Sequence, residues 1–277
     1  MSEMELPKIG LGTWKLKIKE AKFSIIEAIK IGYRFIDTAQ SYGNESGVGE
    51  GLQEIFESGI IKRKDLIVAT KIHPLKLRPK FTLKSALKSL KKLKLDYIDI
   101  LYVHYPAFIL GYSHKKTLKA FSQLVDEEKI KNIGVSNFTP QMIEEAQEAC
   151  DKPIFATQIE HHPYLQQKPM QQFLREKKIN LISYSPLGRG NVLNNAIIKE
   201  IAERNKISAA QVCLVWLMKK GAIPIPKATS LSHLKENFAA CDMQLSEEDI
   251  LKIDEISFNR RFVHPPVVSP KEWKKKK

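Results

Sequence analysis

The chain has 277 residues, of which 43% are hydrophobic and 27% charged, the composition of a globular protein with enough apolar side chains for a large core. Lysine and arginine number 45 against 31 acids, a formal net charge of +14, yet no apolar run approaches the roughly 18 residues of a membrane span. The three cysteines (Cys150, Cys213, Cys241) are far apart and odd in number, which fits reduced core thiols and not a disulfide frame or a metal set.

Strand-like runs, short and rich in Ile, Val and aromatics, are predicted at 8–12, 34–39, 66–71, 97–104, 130–135, 154–159, 180–184 and 222–226. Helical patterns fill the gaps. Ala21, Ile25, Ala28 and Ile29 recur on one face, as do Leu83, Ala86, Leu87, Leu90 and Leu93. Thr139-Pro140 reads as a cap with proline at the first helical position, and Ser208 with Gln211 as a capping box. Near-continuous apolar strands, each followed by a helix, mean a parallel sheet buried on both faces. Eight such units predict an α/β fold, a (β/α)8 TIM barrel in one domain spanning 1–277, because a barrel of roughly 250 residues is a single domain. Residues 246–256 are expected to add a helix outside the barrel, and 257–277 to form an irregular C-terminal segment ending in a mobile basic tail from about 267.

The positive charge is spread over helix faces, as at Lys84, Lys88, Lys91, Lys92 and Lys94, apart from Lys271 and Lys274 to Lys277 at the end. With no basic patch on a recognisable reading module, nucleic acid is not expected as a partner, nor is a membrane. The acidic start Met1-Ser2-Glu3-Met4-Glu5 has no apolar signal core, so a cytoplasmic protein is expected. It is expected to be a monomer.

Barrel enzymes place their chemistry at the carboxyl ends of the strands. In chain order those ends carry Asp37 then Tyr42, Lys71, His104, Ser136-Asn137, Gln158 and Glu160, Tyr184-Ser185, and Lys227. Packing alone does not call for a ring of acid, lysine, histidine, amide and phenol. Lys71 beside Tyr42 is expected to favour phenolate and lower the phenol's pKa, with Asp37 holding the ammonium. His104 can hydrogen-bond a substrate oxygen. Such a set protonates an oxygen that gains charge, as carbonyl reduction requires, and the hydride has to come from a cofactor.

The residues resemble the aldo-keto reductase family. The resemblance rests on Gly10 to Trp14, Phe35 to Glu45, Ala69-Thr70-Lys71, Tyr102-Val103-His104, Gly134 to Phe138, Gln158 with His162-Pro163-Tyr164, Ser183 to Gly188, and Ile225-Pro226-Lys227, in the family's order over about 6–266. It implies a reductase of aldehydes and ketones in which Tyr42 is the general acid, Lys71 and Asp37 tune it and His104 orients the carbonyl. It implies NADP bound over the barrel mouth, with NAD as the open alternative. Ser136, Asn137 and Gln158 would hold the nicotinamide amide, with Tyr184 against the ring. The pyrophosphate would lie at Ser185, Pro186 and Leu187. Lys227, Ala228, Thr229, His233, Glu236 and Asn237 would meet the adenosine end, and Thr13 and Trp14 would line the site, Trp14 with Tyr42 and His104 on the substrate side.

Two departures bear on this. His233 stands where many members have Arg, whose planar, always-charged fork grips a 2′-phosphate better, and Ala228 where Ser is common. The 105–113 loop and the C-terminal segment are short beside steroid-handling members, which implies a small, open substrate site. Competing readings are a Schiff base on Lys71, a nicotinamide-binding regulatory barrel and a metal on His161-His162. The family spacing of Tyr42 and His104 argues against the first, and the intact set of four with few residues before Pro7 against the second. Neighbouring strand residues point to opposite faces, which argues against the third. The glycines Gly43, Gly47, Gly49 and Gly51 lack phosphate-loop spacing and read as a loop entering a helix.

Overall fold

A computed structural model describes residues 4–270 and Trp273. Its strands are β1 (Leu11–Gly12), β2 (Phe35–Asp37), β3 (Ile67–Ile72), β4 (Ile98–Val103), β5 (Ile130–Ser136), β6 (Ile154–Glu160), β7 (Asn180–Tyr184) and β8 (Ala222–Pro224). They pair in parallel in sequence order. Gly10 N donates to Pro224 O and Gly12 N to Pro226 O, both at 3.0 Å, and these bonds close the sheet into a barrel.

Alternation along each strand divides the core in two. Ile36, Val68, Leu101, Val103, Ile133, Val135, Ile159 and Leu181 face outward and pack under the helices. Phe35, Ala69, Ile100, Tyr102, Ala156, Ile182 and Ile225 face inward and fill the barrel, with Met4 and Leu6 packed against them. The interior is solid, so anything bound from solution has to sit at a mouth.

The helices are α1 (Ile18–Ile31), α2 (Glu45–Glu57), α3 (Pro79–Leu93), α4 (His114–Asp126), α5 (Pro140–Glu148), α6 (Lys168–Lys177), α7 (Ala196–Asn205), α8 (Ala209–Lys219), α9 (Leu231–Ala239) and α10 (Glu247–Asp254). The expected caps form: Thr139 accepts from Met142 N, and Ser208 and Gln211 make the reciprocal box. α10 is the expected outer helix, held by the indole of Trp216 donating to Asp254 Oδ1 at 2.9 Å. The β7–β8 connection carries two helices, α7 and α8, where one was expected. Asn195 caps α7 by accepting from Ile197 N and Ile198 N.

The glycine cluster lies inside α2 and not in a loop before it; only Gly43, at φ 72°, makes the turn. A Cβ on Gly47 would stand 2.1 Å from Ile18 O, and one on Gly49 2.2 Å from Lys92 O. These positions allow α2 to nest against α1 and α3, and that seating directs the start of α2 at the barrel mouth.

Candidate active site

The strand period accounts for how the polar residues come together. Asp37, Lys71, His104, Gln158, Tyr184 and Lys227 each stand two residues beyond an inward-facing core residue: Phe35, Ala69, Tyr102, Ala156, Ile182 and Ile225 respectively. They therefore follow the same face out of the core and arrive at its C-terminal mouth.

At the floor of that mouth Lys71 Nζ donates to Asp37 Oδ1 and, at 2.9 Å, to the carbonyl of Thr38. The other carboxylate oxygen, Oδ2, accepts from Gln158 Nε2 at 2.8 Å. Asp37 and Lys71 are 1% and 0% exposed, so the pairing and the added hydrogen bonds are what make two buried charges tolerable. Tyr42 comes in on the short turn Gln40–Tyr42. Gln40 anchors that turn: its Nε2 donates to Ser85 O and Ser89 Oγ, and its Oε1 accepts from His73 N and Ser85 Oγ. Asn44 fixes the exit by donating to Thr13 O and Leu16 O. Lys71 Nζ then lies 5.1 Å from the Tyr42 ring centroid, and the His104 ring meets Tyr42 edge-on at 5.9 Å. Phenol, ammonium and imidazole share one half-buried recess.

A second set of bonds continues around the mouth. Ser136 Oγ donates to Gln158 O at 2.9 Å, and Asn137 Nδ2 donates to Ser136 Oγ and to His104 O. Tyr184 Oη donates to Asn137 Oδ1 at 2.7 Å. Asn137 adopts φ 65°, a left-handed conformation that Asn tolerates better than most residues and that turns its amide into this network. Thr13 is buried, and its Oγ1 donates to Asp37 O at 3.1 Å.

The titration behaviour differs from expectation at one point. Burial first, then the charge of Asp37, hold the Tyr42 phenol well above its ordinary value, whereas Lys71 was expected to lower it. Asp37 already pairs with the ammonium, so Lys71 has little net field left for the phenol. Burial raises the Asp37 carboxyl and lowers the Lys71 ammonium, each opposed by the other's charge. Burial, with the charge of Lys71, pushes His104 well below 6.5, so its imidazole is neutral.

The remaining sequence candidates lie on the segments that follow β1, β6, β7 and β8. Ser185 leaves β7 at φ 48°, and Gly188 N returns to its carbonyl at 2.8 Å, forming a tight turn through Pro186 and Leu187. Lys227, Thr229 and His233 are exposed at the start of α9, where Ser230 Oγ accepts from His233 N; Glu236 is half-buried and Ala228 and Asn237 are buried. Trp14 is 36% exposed, with Lys15 Nζ and the Arg189 guanidinium each 4.7 Å from its ring centroid. His161 turns to Ser183 and Gln171, and His162 to Glu160, so the two rings diverge. A cleft of about 1270 Å³ lies at the far end of the barrel, beside the starts of β5, β6 and β7. It has no part in this chemistry.

Three contributors went unrecognised in the sequence. Gln40 and Ser41 lie inside the motif that pointed to Tyr42, but only the folded turn reveals what they touch. Glu160 reads in the sequence as a strand-end acid without a role. It is fully buried and accepts from Phe262 N at 2.7 Å and Val263 N at 2.9 Å, which fastens the C-terminal segment beside the mouth.

A closed parallel barrel with its ionisable groups gathered at the C-terminal mouth is the architecture of a barrel enzyme. The model of the Aldo/keto reductase family matches residues 8–257, and the chain belongs to that family. It is 38% identical over 259 residues to a glyoxal reductase of Bacillus subtilis, covering 93% of this chain and 91% of the relative. It is 32% identical over 301 residues to an NADH-dependent D-xylose reductase of Candida parapsilosis, covering 95% and 93%. The solved structure of the aldose reductase from Schistosoma japonicum superposes with a TM-score of 0.90 at 31% identity, covering 97% of this chain and 96% of that one.

Proposed function

We propose that this protein is an NADP(H)-dependent reductase that converts aldehydes or ketones to alcohols, with Tyr42 as proton donor and His104 holding the carbonyl oxygen. The observation that carries the reading is the meeting of the Tyr42 ring with both the Lys71 ammonium, 5.1 Å away, and the His104 ring, 5.9 Å away. A bound nicotinamide nucleotide supplies the hydride. The chain's own work is with the oxygen. The neutral imidazole donates one hydrogen bond to it, and the phenol passes it a proton as negative charge builds. Lys71 and Asp37, locked together, keep a polarised hydrogen-bonded floor under the phenol.

Several features support the fit to the cofactor. Ser136, Asn137 and Gln158 offer both donors and acceptors, which an amide requires, and the half-buried Tyr184 ring lies beside them. Lys227, Thr229 and His233 are exposed next to the N-terminus of α9, a place that favours phosphate. Lys227 supplies the positive charge for which NADP(H) is the preferred nucleotide. His233 is a weaker grip than an arginine fork, and one relative is named for NADH use, which supports NAD(H) as the alternative nucleotide. We place the protein as a cytoplasmic monomer acting on small molecules.

The test is to follow the reduced-nicotinamide absorbance with NADPH and with NADH against a panel of sugar aldehydes, dicarbonyls, keto acids and quinones. Oxidation of NADPH driven by at least one carbonyl is expected. Nucleotide binding without turnover across the panel would favour a regulatory barrel, and a borohydride-trapped adduct on Lys71 would favour an aldolase.

A further inference from the structure

A neutral imidazole carries a single proton, and the nitrogen that keeps it decides whether the ring can donate toward the mouth. Among the described residues, the His104 ring has one side-chain hydrogen-bond partner: Ser41 Oγ, 3.3 Å from Nδ1. Ser41 does not reach this position by chance rotation of a loop. It lies between Gln40, which is tied to Ser85, Ser89 and His73, and Tyr42, whose ring packs on the same imidazole. The backbone under His104 is held too, its carbonyl accepting from Asn137 Nδ2 at 2.9 Å. The backbone on both sides of this contact is therefore held by neighbouring elements, while the Ser41 side chain itself is exposed.

A hydroxyl can either donate to an imidazole nitrogen or accept from it. If it donates, Nδ1 carries the lone pair and the proton sits on Nε2, the tautomer that free imidazole side chains already favour. If it accepts, Nε2 is left bare and repels a carbonyl oxygen. We propose that Ser41 is a positioning residue for the reduction: its hydroxyl donates to Nδ1 and so keeps the proton on Nε2, the nitrogen that meets the substrate oxygen. The proposal rests on the role given to His104 above and adds the group that sets its tautomer. Burial and the nearby ammonium keep the ring from taking a second proton, so the tautomer is the variable that remains.

The experiment is nitrogen-15 spectroscopy of the seven histidines in the full-length protein near neutral pH, with the His104 signals assigned by their loss in His104→Asn. A protonated Nε2 and a bare Nδ1 are expected for His104. In Ser41→Ala the two shifts should move toward each other as the tautomers mix, and kcat for a carbonyl found in the panel should fall roughly threefold to tenfold, the worth of one hydrogen bond. The KM for NADPH should stay the same, and Ser41→Thr should restore both readings. A protonated Nδ1 in the unmodified protein, or shifts unmoved in Ser41→Ala, would overturn the proposal. The shifts are read without nucleotide or substrate, so they decide the Ser41 contact separately from whether the protein reduces carbonyls.

Discussion

Asp37 and Tyr42 meet at the barrel mouth in different states, the acid paired with Lys71 and the phenol held in its protonated form. The position of the acid follows from the two-residue period after Phe35, and its partner from the same count after Ala69. The state of the phenol does not follow, because it depends on how much field survives between a paired acid and lysine. In the free protein Tyr42 is held well above its ordinary value by burial and by Asp37. A difference titration of the unmodified protein against Tyr42→Phe should therefore show the Tyr42 phenolate band only above about pH 10. A band appearing near neutrality would reverse the sign argued for Asp37.

His161 offers an independent check at the same scale. Burial pushes its pKa down to about 3, so between about 3 and the ordinary value of 6.5 the unfolded chain binds a proton that the folded one refuses. Its contribution to stability is complete above 6.5 and is lost as pH falls through that window, by at most about 1.4 kcal/mol per pH unit. Denaturant unfolding between pH 6.5 and 5 should show a shallower slope in His161→Gln than in the unmodified protein. Equal slopes would contradict the burial argument.

Among the elements, the strands and the capped helices were legible because period, caps and β-branched composition all agree. α7 was not: a single helix was expected between β7 and β8, and the capping box of Ser208 and Gln211 marks α8 alone. The C-terminal segment was legible as irregular but not as fastened. The acid that holds it, Glu160, lies about a hundred residues away in sequence, and nothing local in 257–270 announces an anchor. Glu160 accepts from Phe262 N and Val263 N; Phe258 stacks on Tyr164 at 4.7 Å, and Arg260 N donates to Tyr164 O. A hydrogen bond of this kind is worth about 0.5–1.5 kcal/mol net, and two are lost together here. In Glu160→Ala, proteolytic cutting within 258–270 should accelerate about tenfold or more, with Glu160→Gln intermediate and the circular dichroism of the barrel unchanged. Unaltered cutting would show that Tyr164 and its neighbours hold the segment alone. Of the basic tail expected from about 267, residues 267–270 are described, with Ser269 N donating to Pro265 O at 3.1 Å; the rest falls outside the described residues apart from Trp273, whose ring centroid lies 3.7 Å from the Arg261 guanidinium.

For the molecule as a whole, the formal net charge of +14 bears on association and not on the fold. A basic surface draws anions at long range, and the attraction fades as the Debye length shrinks from about 30 Å at 0.01 M salt to about 8 Å at 0.15 M. NADPH carries a phosphate that NADH lacks, so its dissociation constant, read from nicotinamide fluorescence, should weaken more steeply with salt. Parallel salt dependence for both nucleotides would remove Lys227 and the general field from the account of cofactor preference.

The central claim is that one phenol proton completes the reduction. Tyr42→Phe removes that proton and leaves the Asp37–Lys71 pair, the His104 ring and the Ser136–Asn137–Gln158 ledge in place. With NADPH and the best carbonyl of the panel, turnover should fall by roughly 10²–10⁴-fold while NADPH affinity by fluorescence titration stays the same. Turnover preserved in Tyr42→Phe would contradict the account.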